Sequence, residues 1–343
     1  MSETVLVTGG TGWIASWTII ELLRRGYTVR TTARSLASEP KIRARIAPHV
    51  DAGGRLAVVA ADLGRGEGWG EAADGVAGII HMATPLGTQG AQDLATMTEI
   101  ARAGTLRVLK AAVDAGVPRV VMTSSGETAT LNKDNEHAAS SLNDESKWTD
   151  VDRPGIDPYP VSKTLAEQAA WAFIREQGGA TALTTILPSA VLGPVLFAEN
   201  LGTPQLVQAM LTGHMPATPN IGFHVADVRD VAALHVTALE TPAAAGERFL
   251  AAGEWTWMAG IAATLRDRLG EKAKKVPTRG MPDWLMRLVG RFDRRMRFFV
   301  PSLGRRHEID SAKARRALGW NPRPLADTLV DCAESLEKVG ALA

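Results

Sequence analysis

The stretch VTGGTGWIAS, residues 7–16, follows a β-branched run and leads into residues with helical spacing. Glycines lack a Cβ, so the backbone there can turn tightly and approach a pyrophosphate, whose charge the next helix's N-terminus favours. Two registers fit, Gly9-x-x-Gly12-x-x-Ala15 and Gly10-x-Gly12-x-x-Ala15, with Ala15 where helix and strand pack closely. Strand, glycine turn and helix in this order predict a dinucleotide site. Thr8, Gly9, Gly12, Trp13 and Ile14 are the cofactor candidates of the loop. Trp13 and Trp17, one helical turn apart, are expected to pack.

The loop also commits the chain to strands alternating with helices. Strands are predicted at 4–8, 27–33, 55–63, 78–85, 118–125 and 181–188, with helices at 13–26, 91–115 and 160–177. That alternation predicts an α/β fold, a doubly wound parallel sheet (Rossmann) covered on both faces. Beyond Pro188 the pattern loosens: residues 189–222 hold four prolines and four glycines around one helical piece at 203–213. Residues 223–240 read as strand then helix returning to the sheet, and the tail from about 252 reads as irregular, rich in Arg and Trp. The 343 residues are expected to divide into a dinucleotide-binding domain, 1–188 plus 223–251, and a smaller, discontinuous substrate-binding domain, 189–222 plus 252–343.

Selection of NAD normally uses an acid about 20 residues past the loop, at the end of the second strand. No acid lies between Glu21 and Glu39; Arg34 and Ser35 stand there instead, with Arg30 nearby. A guanidinium can pair with a 2′-phosphate through its planar fork of donors, so NADP is expected over NAD. Asp62, followed by Leu63, is a candidate for the adenine edge or a helix N-cap.

Tyr159 and Lys163 are four apart in a helical stretch and share a face. To exchange protons near neutral pH a phenol must fall from about 10 to about 7, which takes about 4 kcal/mol. A fixed ammonium on the same face acts in that direction. Ser124 and Ser125, ending the fifth strand, offer a hydroxyl where open α/β sheets bind ligands. Taken alone, Tyr-x-x-x-Lys is a common surface pair; the glycine loop, the serines and this pair in chain order make it a candidate site.

These segments resemble the extended short-chain dehydrogenase/reductase family, in the branch of dihydroflavonol reductases, cinnamoyl-CoA reductases and microbial aldehyde/ketone reductases. The resemblance runs through VLVTGGTGWIAS, GIIHMATP, VVMTSS, LNDESKWTD, YPVSKTLAEQAAW, ILPSAVLGP, FHVADVRDVAALH and KARRALGW. It implies a catalytic Ser125, Tyr159 and Lys163, with cofactor contacts from Met82, Ala83 and Thr84, and from Pro188 against the nicotinamide. Tyr159 and Lys163 are implied cofactor contacts too. The chain departs from its relatives in reading IDPYPVSK around the tyrosine and in placing Thr130 where dihydroflavonol reductases carry a substrate-binding asparagine. The implied activity is NADPH-dependent, reversible reduction of an aldehyde or ketone. The alternatives are a sugar-nucleotide epimerase or hydroxysteroid-type dehydrogenase, and a non-catalytic dinucleotide sensor.

Residues 176–228 contain no Lys or Arg to neutralise a sugar diphosphate or coenzyme A. They offer Leu192, Val195, Leu196, Phe197, Leu201, Leu206, Met210 and Met215, which suit a small apolar or aromatic carbonyl compound; packing in the second domain's core is the other use for such residues. His81, His214 and His224 show no metal spacing, so no metal is expected. A net charge of +1 gives no reason to expect nucleic acid. The single Cys332 and the lack of a basic-then-apolar N-terminal leader predict a cytoplasmic protein, monomer or homodimer. The tail 279–316 holds eleven Arg/Lys against four Asp/Glu. A helix laid on its own domain is expected there rather than a membrane-surface segment.

Overall fold

The strands, in chain order, are β1 (Thr4–Thr8), β2 (Thr28–Ala33), β3 (Leu56–Ala60), β4 (Gly78–His81), β5 (Arg119–Thr123), β6 (Ser140–Asn143), β7 (Ala182–Pro188), β8 (Ala190–Leu192), β9 (Thr218–Pro219), β10 (Gly222–Asp227), β11 (Arg248–Ala251), β12 (Glu254–Trp257), β13 (Gly280–Met281) and β14 (Arg306–Ile309). The computed structural model describes residues 3–84, 94–132, 140–292 and 299–342. Seven strands form one parallel sheet in the order β3-β2-β1-β4-β5-β7-β11. The order reverses between β1 and β4, so the ends of those strands and of β5 open on one crevice.

Helices α1 (Trp13–Arg24), α2 (Glu39–Ile46), α3 (Trp69–Ala73), α4 (Leu94–Asp114), α5 (Glu127–Thr130), α6 (Pro158–Gln177), α7 (Gln205–Thr212) and α8 (Val228–Glu240) follow in chain order. One face of the sheet is covered by α1 and α8, whose Ile19, Ile20, Leu22, Leu23, Val231 and Val236 are buried with Val5 and Val7. The other face buries Leu6, Ile79 and Val120 against Val108 and Leu109 of α4 and Ala170 of α6. Strands buried on both faces read as unbroken apolar runs, which is why β1 (TVLVT) was legible as a strand.

A second core joins Leu192, Val195, Leu201, Val207 and Met210 to Ile261, Leu265 and Cys332. Here the structure departs from the sequence reading. The strand at 222–227 pairs with β8 and β12 in a separate three-stranded sheet, and β11 supplies the seventh strand of the large one. The helix that follows it, α8, does pack on the large sheet through Val228, Val231 and Ala232. Among the described residues the tail is regular rather than irregular, with helices Met258–Leu269, Asp283–Phe292, Ala312–Leu318 and Leu325–Lys338.

Helix Asp283–Phe292 buries Met286 and Gly290 and leaves Trp284, Leu288 and Phe292 exposed. Most of the basic RRMRFF run falls in 293–298, outside the described residues, as do Pro85 and residues 91–93 of the predicted strand and helix. The strands predicted at 4–8, 27–33 and 181–188 end where expected, while those predicted at 55–63, 78–85 and 118–125 end earlier, at Ala60, His81 and Thr123. Among the described residues no helix is long and apolar enough to cross a membrane.

His235 of α8 is fully buried and fixes the sheet's exit. Its Nδ1 lies 2.7 Å from the Val231 carbonyl and so donates; its Nε2, 2.8 Å from Thr123 Oγ1, accepts from the hydroxyl. Burial keeps the ring neutral near pH 7, holding its pKa down to about 4 against the opposing Val231 bond. The folded value lies below the unfolded one, so this contribution is present above pH 6.5 and is lost as pH falls towards about 4. His235→Gln should therefore shrink the drop in unfolding free energy between pH about 7 and about 5 by about 2 kcal/mol. Urea titrations at the two pH values measure it; an unchanged pH dependence would show that the ring titrates freely in the folded protein.

Candidate active site

Gly9 adopts φ +74°, and a Cβ there would lie 2.9 Å from the Ala83 Cα, so the turn and the close approach both require glycine. Gly12 precedes α1; its N–H donates to the Gly9 carbonyl at 2.9 Å, and its own carbonyl accepts from Ser16 N at 2.9 Å. A Cβ on Gly10 would meet Thr31 Oγ1 at 2.3 Å. Of the two registers, then, Gly9/Gly12/Ala15 describes the turn, and Gly10 serves packing on β2. Thr8 Oγ1 accepts from Met82 N and Ala83 N, both at 3.0 Å, and so gives its own proton to His81 Nδ1 at 2.8 Å. This clip sets the backbone of Met82 and Ala83 beside the glycine turn, with Thr84 half-buried after them. Trp13 and Trp17 both donate to the Pro194 carbonyl at 2.9 Å, as expected of packing residues, while Ile14 lies against the first core.

At the end of β2, Arg34 and Ser35 are exposed. Among the described residues Arg34 has no ion pair or hydrogen bond, and Ser35 accepts from Ala37 N at 3.2 Å to open a short turn. Arg30 is not available to a ligand: it donates to the carbonyls of Glu71, Ala72 and Asp74 at 2.7–3.0 Å, at the end of α3. Asp62 caps no helix; its carboxylate accepts from Gly64 N at 2.9 Å in a tight turn, and Leu63 packs under Gly104 of α4. Sequence reasoning missed Arg45, which donates to the Thr11 carbonyl at 2.9 Å and stacks 3.5 Å over the Phe197 ring, beside the glycine loop.

Ser125, Tyr159, Lys163 and Pro188 are brought together. Asp157 starts α6 by accepting from Tyr159 N at 2.8 Å, which puts Tyr159 in the first turn and Lys163 in the next. The Ser125 hydroxyl lies close enough to the Tyr159 phenol to act on its ionisation, lowering its pKa. Lys163 Nζ donates to the Thr123 carbonyl at 3.4 Å, at the end of β5. Gly126 N donates to the Pro188 carbonyl at 2.8 Å, joining the serine loop to the end of β7. The two serines divide: Ser124 Oγ donates inward to Glu167 Oε2 at 2.5 Å, and Ser125 faces the tyrosine.

Behind the site lies an ion pair that the sequence did not announce. Glu167 and Arg248 meet at 2.8 Å, Glu167 fully buried and Arg248 8% exposed. Glu167 also accepts from Ser124, Thr128 and Thr185, and Arg248 donates to the carbonyls of Glu145 and Lys147 and stacks on Trp148. The partners are 81 residues apart in sequence, so no local pattern could pair them.

The electrostatics correct one expectation. Tyr159 is pushed up, to about 12, by burial first and then by the charge of Glu127, with the Ser125 hydrogen bond opposing. Lys163 is not among the causes; burial lowers its own pKa to about 8 against the pull of Glu167. Burial and then Asp157 raise Glu127 to about 7, and burial and then Lys163 lower His81 to about 3. At neutral pH the phenol is therefore held protonated, the form that a proton donor needs.

The apolar residues expected at the substrate are largely spent in cores. Leu192, Val195, Leu201 and Met210 are buried in the second core, with Leu206 and Met215 packed on it, while Leu196 packs on the first. His224 has both ring nitrogens bonded, to the Gly253 carbonyl and Ile309 N, and His214 is paired with Thr212. Among the described residues no cluster of His, Cys, Asp and Glu could hold a metal ion.

Residues 5–252 match the model of the NAD dependent epimerase/dehydratase family. The chain is 35% identical over 285 residues to dihydroflavonol 4-reductase of Zea mays, covering 78% of this chain and 75% of that protein. It is 37% identical over 251 residues to cinnamoyl-CoA reductase 1 of Arabidopsis thaliana, covering 73% and 70%. Among solved structures, Gre2 of Candida albicans in complex with NADPH superposes with a TM-score of 0.78 at 24% identity, over 98% of this chain and 99% of that one, a likeness of fold.

With only two tyrosines in the chain, the ionisation of Tyr159 can be read directly. In Tyr27→Phe, phenolate absorbance should not rise below pH about 10, given a Tyr159 held at about 12. A rise centred near neutral pH would contradict the burial argument.

Proposed function

The chain belongs to the NAD dependent epimerase/dehydratase family, and we propose that within it the protein is an NADPH-dependent reductase of small apolar or aromatic aldehydes and ketones. The observation that carries this reading is the convergence of Ser125, a protonated Tyr159 and Lys163 at the carboxyl end of β5. The loop fits a dinucleotide, because the space that a Cβ on Gly9 would take is closed by Ala83 while Gly12 opens the helix N-terminus. Gly9, Gly12, Trp13 and Ile14 would take the pyrophosphate, Arg34 and Ser35 the 2′-phosphate, Asp62 and Leu63 the adenine side. Met82, Ala83, Thr84, Tyr159, Lys163 and Pro188 would line the nicotinamide half. Bound NADPH supplies the hydride that reduces the carbonyl carbon.

The chain's own residues handle the oxygen. As the carbonyl bond's electron pair moves to oxygen, Tyr159 gives that oxygen its phenolic proton and is left as phenolate. An alkoxide is a far stronger base than a phenolate, so the transfer runs downhill even from a phenol at about 12. Ser125 hydrogen-bonds the same oxygen, orienting it and stabilising its developing charge. The Lys163 ammonium, on the same helix one turn on, would offset the phenolate once formed and hold the nicotinamide ribose. The absence of Lys and Arg from 176–228 supports a substrate without phosphates and speaks against a sugar-nucleotide epimerase.

The test follows nicotinamide absorbance with NADPH and NADH across aldehydes, aryl ketones and α-keto esters. NADPH should be oxidised faster than NADH, and Arg34→Ala should raise the NADPH KM at least about tenfold, since a charge-assisted contact is worth about 1.5–3 kcal/mol. NADH kinetics should barely move. A preference for NADH would overturn the reading of Arg34. Saturable UDP-sugar binding with no carbonyl reduction would overturn the reductase.

A further inference from the structure

We propose that Glu127 is a specificity-determining residue of this site, whose carboxyl receives a hydrogen-bond donor, a hydroxyl or an ammonium group, that the substrate carries close to its reacting carbonyl. The proposal rests on the reductase reading and goes beyond it, because an apolar carbonyl compound alone leaves Glu127 without a use.

Glu127 opens α5, two residues after Ser125, and its backbone N–H donates to Ser125 Oγ at 3.2 Å. Its side chain is close enough for its charge to act on the Tyr159 phenol. Yet Oε2 is buried and has no hydrogen-bond partner among the described residues. The neighbouring polar groups are committed elsewhere. Thr149 gives its hydroxyl proton to the Glu127 carbonyl, and Thr128 bonds the Ser125 carbonyl and Glu167. Asp157, which caps α6, is itself an acid and raises the proton affinity of Glu127. Ser125 Oγ accepts from Glu127 N and acts on the Tyr159 phenol, and Lys163 is turned to the Thr123 carbonyl with Glu167 as its opposing charge.

A buried carboxyl oxygen without a partner costs about 1–3 kcal/mol or more. A substrate donor removes that cost, and an alkyl group in its place does not, which is how hydrogen-bonding pockets discriminate strongly. Neutralising Glu127 also lifts the repulsion that makes Tyr159 reluctant to give up its proton. The two donor types separate by pH. An ammonium needs the ionised carboxyl, so its preference should grow as pH rises through about 7; a hydroxyl is accepted by either form.

The experiment measures, by calorimetry, the affinities of 2-hydroxyacetophenone, 2-aminoacetophenone and the isosteric propiophenone for the protein saturated with NADP+. Wild type, Glu127→Ala and Glu127→Gln are compared, with NADP+ affinity as the check on folding. In wild type at least one donor ketone should bind at least about tenfold more tightly than propiophenone. In Glu127→Ala the affinities should converge to within about twofold, and Glu127→Gln, which keeps an acceptor oxygen, should retain a hydroxyl preference and lose an ammonium one. Equal affinities in wild type, or a preference that survives in Glu127→Ala, would overturn the proposal. Binding rather than turnover is read, so failure of all three ketones to oxidise NADPH would count against the reductase reading alone.

Discussion

The buried pair of Glu167 and Arg248 is the interaction on which the candidate site depends. Glu167 stands one helical turn after Lys163 and two after Tyr159 on α6, so whatever fixes it fixes them. It is held from four directions: by Ser124 beyond β5, Thr128 in α5, Thr185 of β7 and Arg248 of β11. A charge so far from water is tolerable only because it is paired and its lone pairs are filled. Removing one partner of such a pair costs about 3–5 kcal/mol, since the other charge is left alone. The pair's use here is geometric, aligning one helix with three strands so that Ser125, adjacent to Ser124, meets Tyr159.

The same dry environment sets the protonation states around it. Burial drives each titratable group towards its neutral form, raising Tyr159 and Glu127 and lowering Lys163 and His81. For the proposed carbonyl reduction this arrangement has the right sign, since a phenol that is to donate a proton must carry it at rest. Thr8 links the electrostatics to the cofactor loop: one hydroxyl donates to the neutral His81 and holds Met82 and Ala83 against the turn at Gly9.

Much of the fold was legible because its signals are local. The glycine turn, the apolar strands and the helix carrying Tyr159 and Lys163 each span fewer than about 25 consecutive residues, and their alternation implies a parallel sheet. What failed depends on distant partners. The pattern of residues 222–227 fits either sheet, and only pairing with β8 and β12 assigns it. Leu192 and Met210 carry the same hydrophobicity in a core as in a pocket wall. The tyrosine and lysine were found at their spacing, but the direction of the phenol's shift was not, because burial in the fold, and then Glu127 reaching Tyr159 from another element, set it. Glu127 and Arg248 lie outside the segments that carry the family resemblance, and nothing local marks the burial of Glu167 within its own.

The central claim is that Tyr159 is the proton donor in a carbonyl reduction, and removing only its hydroxyl tests that claim most directly. Tyr159→Phe keeps the ring and its packing, so NADPH should bind with unchanged affinity in a fluorescence titration. On a substrate that the wild-type protein reduces, kcat should fall by roughly two to four orders of magnitude, the size of a general-acid contribution. A Tyr159→Phe protein that binds NADPH normally and keeps most of its turnover would show that the phenol only packs against Ser125.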